Sequence, residues 1–162
     1  MTANEKIVMA AVDAANGKIP TLPNKPGYCL AFVRTVVERA LWGGQWTLYD
    51  TFLVDGTTKR GDDPAKRLAE AKEDPWAADL ERSMKLLGMT VPAMFRKPGD
   101  LVFNYRGAAP MGHVAVLLTR DMVIENIHPN FRPHSIHLKP FLSITPYKSL
   151  PWTLTARMRA TR

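Results

Sequence analysis

The apolar period of this chain changes once, and no other feature limits the fold as strongly. Through residue 89 apolar side chains recur every three or four positions, the period of amphipathic helices; from residue 98 they alternate, the period of strands. Helices first and antiparallel strands second define the α+β class, with the helices packed on one face of the sheet. The 162 residues suffice for one domain with a sizeable core. No repeat, low-complexity segment or linker divides them, so residues 1–162 are expected to form a single domain.

Local signals place the elements. Thr2 and Glu5 have capping-box spacing, and Ile7, Ala10, Ala11, Ala14 and Ala15 form a helical stripe that ends at Gly17. Pro20, Pro23 and Pro26 make 18–27 a surface loop. Apolar residues at 29/30, 33, 36/37 and 40/41 predict a second helix that starts at Cys29 and stops at Gly43-Gly44. Trp42 and Trp46 in that turn read as core, and 48–54 is too irregular for an assignment. Asp63-Pro64 and Asp74-Pro75 each read as a cap and first position, for helices over 65–72 and 76–87 with Gly88 as the stop. The mixed charge there, including Asp62, Asp63, Asp74 and Asp79, reads as a solvated face without chemistry. After the Pro98-Gly99 turn, strands are expected over 100–105, 113–118 and 122–126, then over 134–138 and 152–158.

The single cysteine falls at the start of the second helix. There the unpaired backbone N–H groups and the positive end of the dipole favour a thiolate, although a lone cysteine is also a common small buried hydrophobe. A cysteine nucleophile needs a base and a third group to orient that base. His113 opens a strand just after Gly112, and the turn at residues 119–121 folds the next strand back on it, so that 125 and 127 come opposite 115 and 113. Glu125 is a carboxylate in an otherwise apolar strand and wants a partner such as an imidazolium. Asn126 is the runner-up, since a register slip of one residue would exchange the two. The Cys29 backbone N–H is the natural oxyanion donor. Tyr28, beside the nucleophile, is a candidate for substrate contact, though a tyrosine there also serves as packing.

Bulk properties exclude several classes. One cysteine permits no internal disulfide, cysteine-rich zinc site or redox pair. No apolar run is long enough for a membrane span, and residues 1–16 lack the pattern of a secretory signal, so synthesis in the cytoplasm without a signal peptide is expected. Residues 1–89 carry twelve basic and twelve acidic side chains, whereas residues 90–162 carry ten basic against three acidic. The whole net charge of +7 therefore belongs to the C-terminal half. That excess suits an anionic cell-wall polymer, or nucleic acid, for which no recognition motif is present; it also suits a plain basic surface. His128, His134 and His137 cluster with a spacing that fits no standard zinc motif, and Pro129, Arg132 and Pro133 read as surface loop, so no metal and no cofactor are expected. Nothing specifies an oligomeric state.

The segments Gly27-Tyr28-Cys29-Leu30-Ala31-Phe32-Val33, Pro98-Gly99-Asp100-Leu101-Val102-Phe103, Gly112-His113-Val114-Ala115-Val116 and Val123-Ile124-Glu125-Asn126 resemble, in order, the landmarks of CHAP and NlpC-like cell-wall peptidases, papain-like enzymes of bacteria and their phages. The resemblance covers residues 26–126. It implies a papain-like fold and cleavage of an amide or peptide bond of peptidoglycan, with Cys29 as nucleophile, His113 as base and Glu125, or Asn126, as the orienting group. Leu30-Ala31 follow the cysteine where NlpC-like members carry Ser-Gly, which is closer to the CHAP style and leaves amidase and endopeptidase both open. A phage endolysin or a toxin delivered to rival cells would act on the wall after release or delivery. The rival readings are a non-catalytic basic module that binds cell-wall polymer or nucleic acid, and acyl transfer by the same thioester chemistry.

Overall fold

The computed structural model describes residues 1–23, 25, 28–43, 47–54, 63–104, 111–127, 132 and 134–161. Helix α1 (Ala3–Ala15) starts at the expected box: Thr2 Oγ1 accepts the Glu5 N–H at 3.2 Å, and Glu5 Oε2 accepts the Thr2 N–H at 2.6 Å. Its buried stripe of Ile7, Ala10, Ala11 and Ala14 lies against α2 (Cys29–Leu41), where the alanines let the two helices approach closely. Helix α2 buries Leu30, Phe32, Val33, Val36 and Val37 and packs on the sheet. Trp42 closes it and stacks on Phe52 with ring centroids 5.9 Å apart, a core role as expected. Trp46 lies outside the described residues.

Residues 48–54, unassigned from sequence, contain the short helix α3 (Leu48–Phe52). Thr47 caps it, and the Glu38 carboxylate of α2 accepts the Leu48 N–H at 2.7 Å, a tertiary contact that no local pattern announces. Asp63 caps α4 (Pro64–Glu73) as predicted. The second Asp-Pro device is corrected. Asp74 ends α4, while α5 (Ala77–Leu86) is capped at Trp76, whose N–H donates to Asp79 Oδ2 at 2.7 Å. Asp79 is therefore fully buried rather than part of a solvated face, because the first turn of α5 lies against the sheet.

Among the described residues the sheet has seven strands, all pairs antiparallel, in the order β1-β7-β2-β3-β4-β6-β5. They are β1 (Thr90–Val91), β2 (Leu101–Asn104), β3 (His113–Leu117), β4 (Met122–Asn126), β5 (Ile136–Lys139), β6 (Leu142–Pro146) and β7 (Leu154–Ala156). Strands β1 and β6 have no counterpart in the sequence reading. The architecture is α+β, as expected. Leu101, Phe103, Val114, Val116 and Ile124 face the helices in one continuous core, whereas Val102, Ala115, Leu117 and Val123 form a smaller cluster on the other face under Tyr147 and Trp152.

One polar knot ties the first helix to the adjacent strands β2 and β7. Buried Asp100 accepts bonds from Asn4 Nδ2 at 2.8 Å, Arg157 Nε at 2.8 Å and Nη2 at 2.9 Å, and the Lys97 N–H at 2.8 Å. Gly99, at φ +88°, sits so near Asn4 that a Cβ there would collide with its backbone.

Candidate active site

Cys29 is the first residue of α2, preceded by Tyr28, which supplies no side-chain cap. With no capping oxygen in competition, the Leu30 N–H of this first turn bonds the thiol. His113 begins β3. By alternation it belongs to the face of Ala115 and Leu117, but at the strand's first position its ring meets both Cys29 and Trp152, the latter at 5.9 Å between centroids and 26° between planes.

Glu125 reaches His113 from the adjacent strand. The register pairs Val116 with Ile124 and Leu117 with Val123, which sets Glu125 on the His113 face and Asn126 on the helix face. Glu125 Oε1 lies 2.6 Å from His113 Nε2. With Nε2 committed to the carboxylate, Nδ1 is the ring nitrogen left for the thiol. Asn126 does other work: its Nδ2 donates to the Pro23 carbonyl at 3.1 Å and so holds the loop that leads to Cys29. Of the two orienting groups left open by sequence, Glu125 is the one bonded to His113. Tyr28 closes the first turn of α2 through its carbonyl and is 46% exposed beside Cys29.

The electrostatics follow from these contacts. Burial opposes ionisation of Cys29, but the hydrogen bond and charge of His113, with the Val114 and Leu30 backbone N–H groups, outweigh it and lower the thiol below its usual range. Burial likewise disfavours imidazolium, yet hydrogen bonds to Cys29 and Glu125 push His113 up to about 9. Glu125 is desolvated, and its bond to His113 and the Arg132 charge still hold it below the ordinary carboxylate value. Each of the two shifts moves the pair towards thiolate facing imidazolium.

Two neighbours were not legible in the sequence. Arg132, read there as ordinary loop, places Nε 3.0 Å from Glu125 Oε2. Trp152 covers His113 from the segment before β7 and anchors its own Nε1 on the Tyr147 carbonyl at 2.9 Å. Trp152 comes from a distant segment, and Arg132, seven residues after Glu125, sits in a proline-bearing stretch without a periodic pattern, so neither contact carries a local signal. His137 bonds Ser143 Oγ at 3.1 Å, and His128 lies outside the described residues. Among the described residues no three His, Cys, Asp or Glu side chains are placed to hold a metal ion. A groove of about 760 Å³ along α1, lined by Met1, Val8, Met9 and Pro98 among others, shares no residue with this site.

Part of the C-terminal positive charge is used internally. Arg157 binds Asp100, Arg132 binds Glu125, and Arg96 lies 4.0 Å over the Tyr147 ring and bonds the Arg120 carbonyl. No helix among the described residues is long and apolar enough to cross a membrane. In comparisons with known proteins, no family model, no curated protein and no solved structure matches this chain.

Proposed function

We propose that the protein is a cysteine-dependent hydrolase that cleaves amide or peptide bonds of bacterial peptidoglycan through a thioester intermediate. The observation that carries this reading is His113 bonded on one side to a helix-start thiol and on the other to a buried carboxylate. Those are the three roles that nucleophilic acyl transfer requires. The placement of a cysteine-bearing helix against an antiparallel sheet that supplies base and orienting group agrees with the papain-like arrangement implied by the resemblance of residues 26–126 to CHAP and NlpC-like enzymes. The choice of peptidoglycan rests on that resemblance.

In this mechanism the Cys29 thiolate attacks the carbonyl carbon, and the electron pair of the C=O bond moves to oxygen. The Cys29 backbone N–H at the helix start stabilises that oxyanion, a contribution of about 3 kcal/mol per donor. Collapse breaks the C–N bond as the His113 imidazolium gives its proton to the departing amine. Neutral His113 then takes a proton from water, which attacks the thioester and regenerates the thiolate–imidazolium pair. Glu125 holds the ring in position throughout and compensates its positive charge.

The test incubates wild type and Cys29→Ala with purified peptidoglycan and identifies the products by mass. Wild type releases fragments with a new amine and a new carboxyl group, and the bond cut separates amidase from endopeptidase. Identical profiles for the two proteins would contradict the proposal and favour a binding module.

A further inference from the structure

We propose that Arg132 is a positioning residue of this site, which clamps both oxygens of Glu125 and so fixes the orientation and charge of the group that holds His113. The inference rests on the reading of Cys29, His113 and Glu125 as a nucleophilic centre. Its first support is geometric. Arg132 Nε meets Glu125 Oε2 at 3.0 Å, and Nη2 meets Oε1 at 3.3 Å, the same oxygen that lies 2.6 Å from His113 Nε2. A carboxylate held at one oxygen can still pivot about that contact. The planar guanidinium fork removes the pivot and leaves Oε1 aimed at the ring.

Burial supplies the second support. The Arg132 side chain is 11% exposed and that of Glu125 is not exposed at all, whereas Arg96 pairs with an Asp121 side chain that is 74% exposed. Burying an ion pair is rarely the most stabilising use of such space, so stability alone gives a weak reason for this arginine. Charge balance gives a better one. Thiolate, imidazolium and carboxylate together carry one net negative charge in a desolvated place, and the guanidinium brings the four groups to zero. Without it, every ionisation at the site must move to higher pH: the thiolate and the carboxylate lose a favourable neighbour, and the imidazolium loses an unfavourable one.

Other charged or titratable groups approach the site from neighbouring elements. Tyr49 of α3 interacts with Cys29 and is pushed up to about 12 by burial, with Arg34 and Glu38 of α2 beside it. His137 of β5 bonds Ser143 of β6, which is paired with Glu125. All of these stay unchanged when only Arg132 is replaced.

The experiment follows the alkylation rate of Cys29, the one thiol, by iodoacetamide from about pH 4 to about pH 10 in wild type, Arg132→Gln and Arg132→Lys. Arg132→Gln, which keeps donors and loses charge, moves both limbs of the profile up by about one pH unit. Arg132→Lys, which keeps charge and loses the fork, leaves the limbs in place and lowers the plateau between them. Wild-type limbs in Arg132→Gln would mean that the arginine only anchors its loop, and would overturn the proposal. Should Arg132→Gln fail to fold, the lysine variant decides, because a wild-type plateau there is equally fatal. The assay needs no substrate: shifted limbs with no peptidoglycan cleavage by wild type would sink the hydrolase reading and leave this one standing.

Discussion

His113 is the residue on which the site depends, because it contacts both Cys29 and Glu125. His113→Ala leaves the burial of Cys29 opposed by the Val114 and Leu30 backbone N–H groups without the larger effect of His113, so the thiol moves up, alkylation at neutral pH slows, and peptidoglycan turnover falls about a thousandfold. An unchanged alkylation profile in that variant would contradict the assigned contact. Glu125→Gln strands the Arg132 charge in a buried position and costs about 3 kcal/mol, read by urea unfolding at neutral pH. The pH dependence has a definite sign. Because Glu125 is depressed below 4.5 in the folded protein, its stabilisation is complete above that value and is lost as pH falls through the folded value. The wild type accordingly loses its stability advantage over Glu125→Gln on acidification, and the gap between the two curves closes.

At the scale of elements, the start of β3 is set by its contact with α5. The Ala78 N–H donates to the Met111 carbonyl at 2.9 Å, and Gly112, at φ +75°, leaves only 3.1 Å between an added Cβ and the Ala78 nitrogen. Gly112→Ala therefore carries left-handed strain of about 1–2 kcal/mol and displaces His113. Thermal unfolding will show the lost stability, and slower Cys29 alkylation near neutrality will show the displaced ring; wild-type behaviour in both would refute the contact. Asp100→Ala removes the acceptor for Asn4, Lys97 and Arg157 and costs about 3 kcal/mol in the same kind of measurement, with the alkylation profile preserved. Elements set by neighbouring residues were legible in the sequence: the Thr2 and Asp63 caps, and the β3–β4 hairpin whose short turn fixes Glu125 opposite Ala115. Strand β6 was not: residues 139–151 received no assignment, as Pro140 and Pro146 interrupt the stretch, although its alternation of Leu142 and Ile144 with Ser143 and Thr145 is regular. The cap of α5 was misplaced because two Asp-Pro pairs look alike locally, and only the burial of Asp79 distinguishes them. The Trp152 contact depends on the closed sheet, and that of Arg132, seven residues from Glu125, on a stretch without periodic pattern; neither leaves a local trace.

In the whole molecule, one continuous apolar core runs from α1 and α2 through α3 and α5 to β2, β3 and β4. Helices and sheet are thus expected to unfold together, with far-UV circular dichroism and tryptophan fluorescence giving one coincident transition in urea; two separated transitions would show that the halves fold independently. The same packing brings the start of α2, with Cys29, to the start of β3, with His113, and the hairpin adds Glu125 from β4. The fold's central consequence is a Cys29 thiol that ionises more readily than a free one. The most direct measurement is the pH profile of Cys29 alkylation in the wild-type protein. The account predicts a thiol that already reacts as thiolate below the ordinary thiol value, 9.0, with a second change as His113 loses its proton near about 9. A single rise through 9.0, as for an isolated thiol, would contradict it.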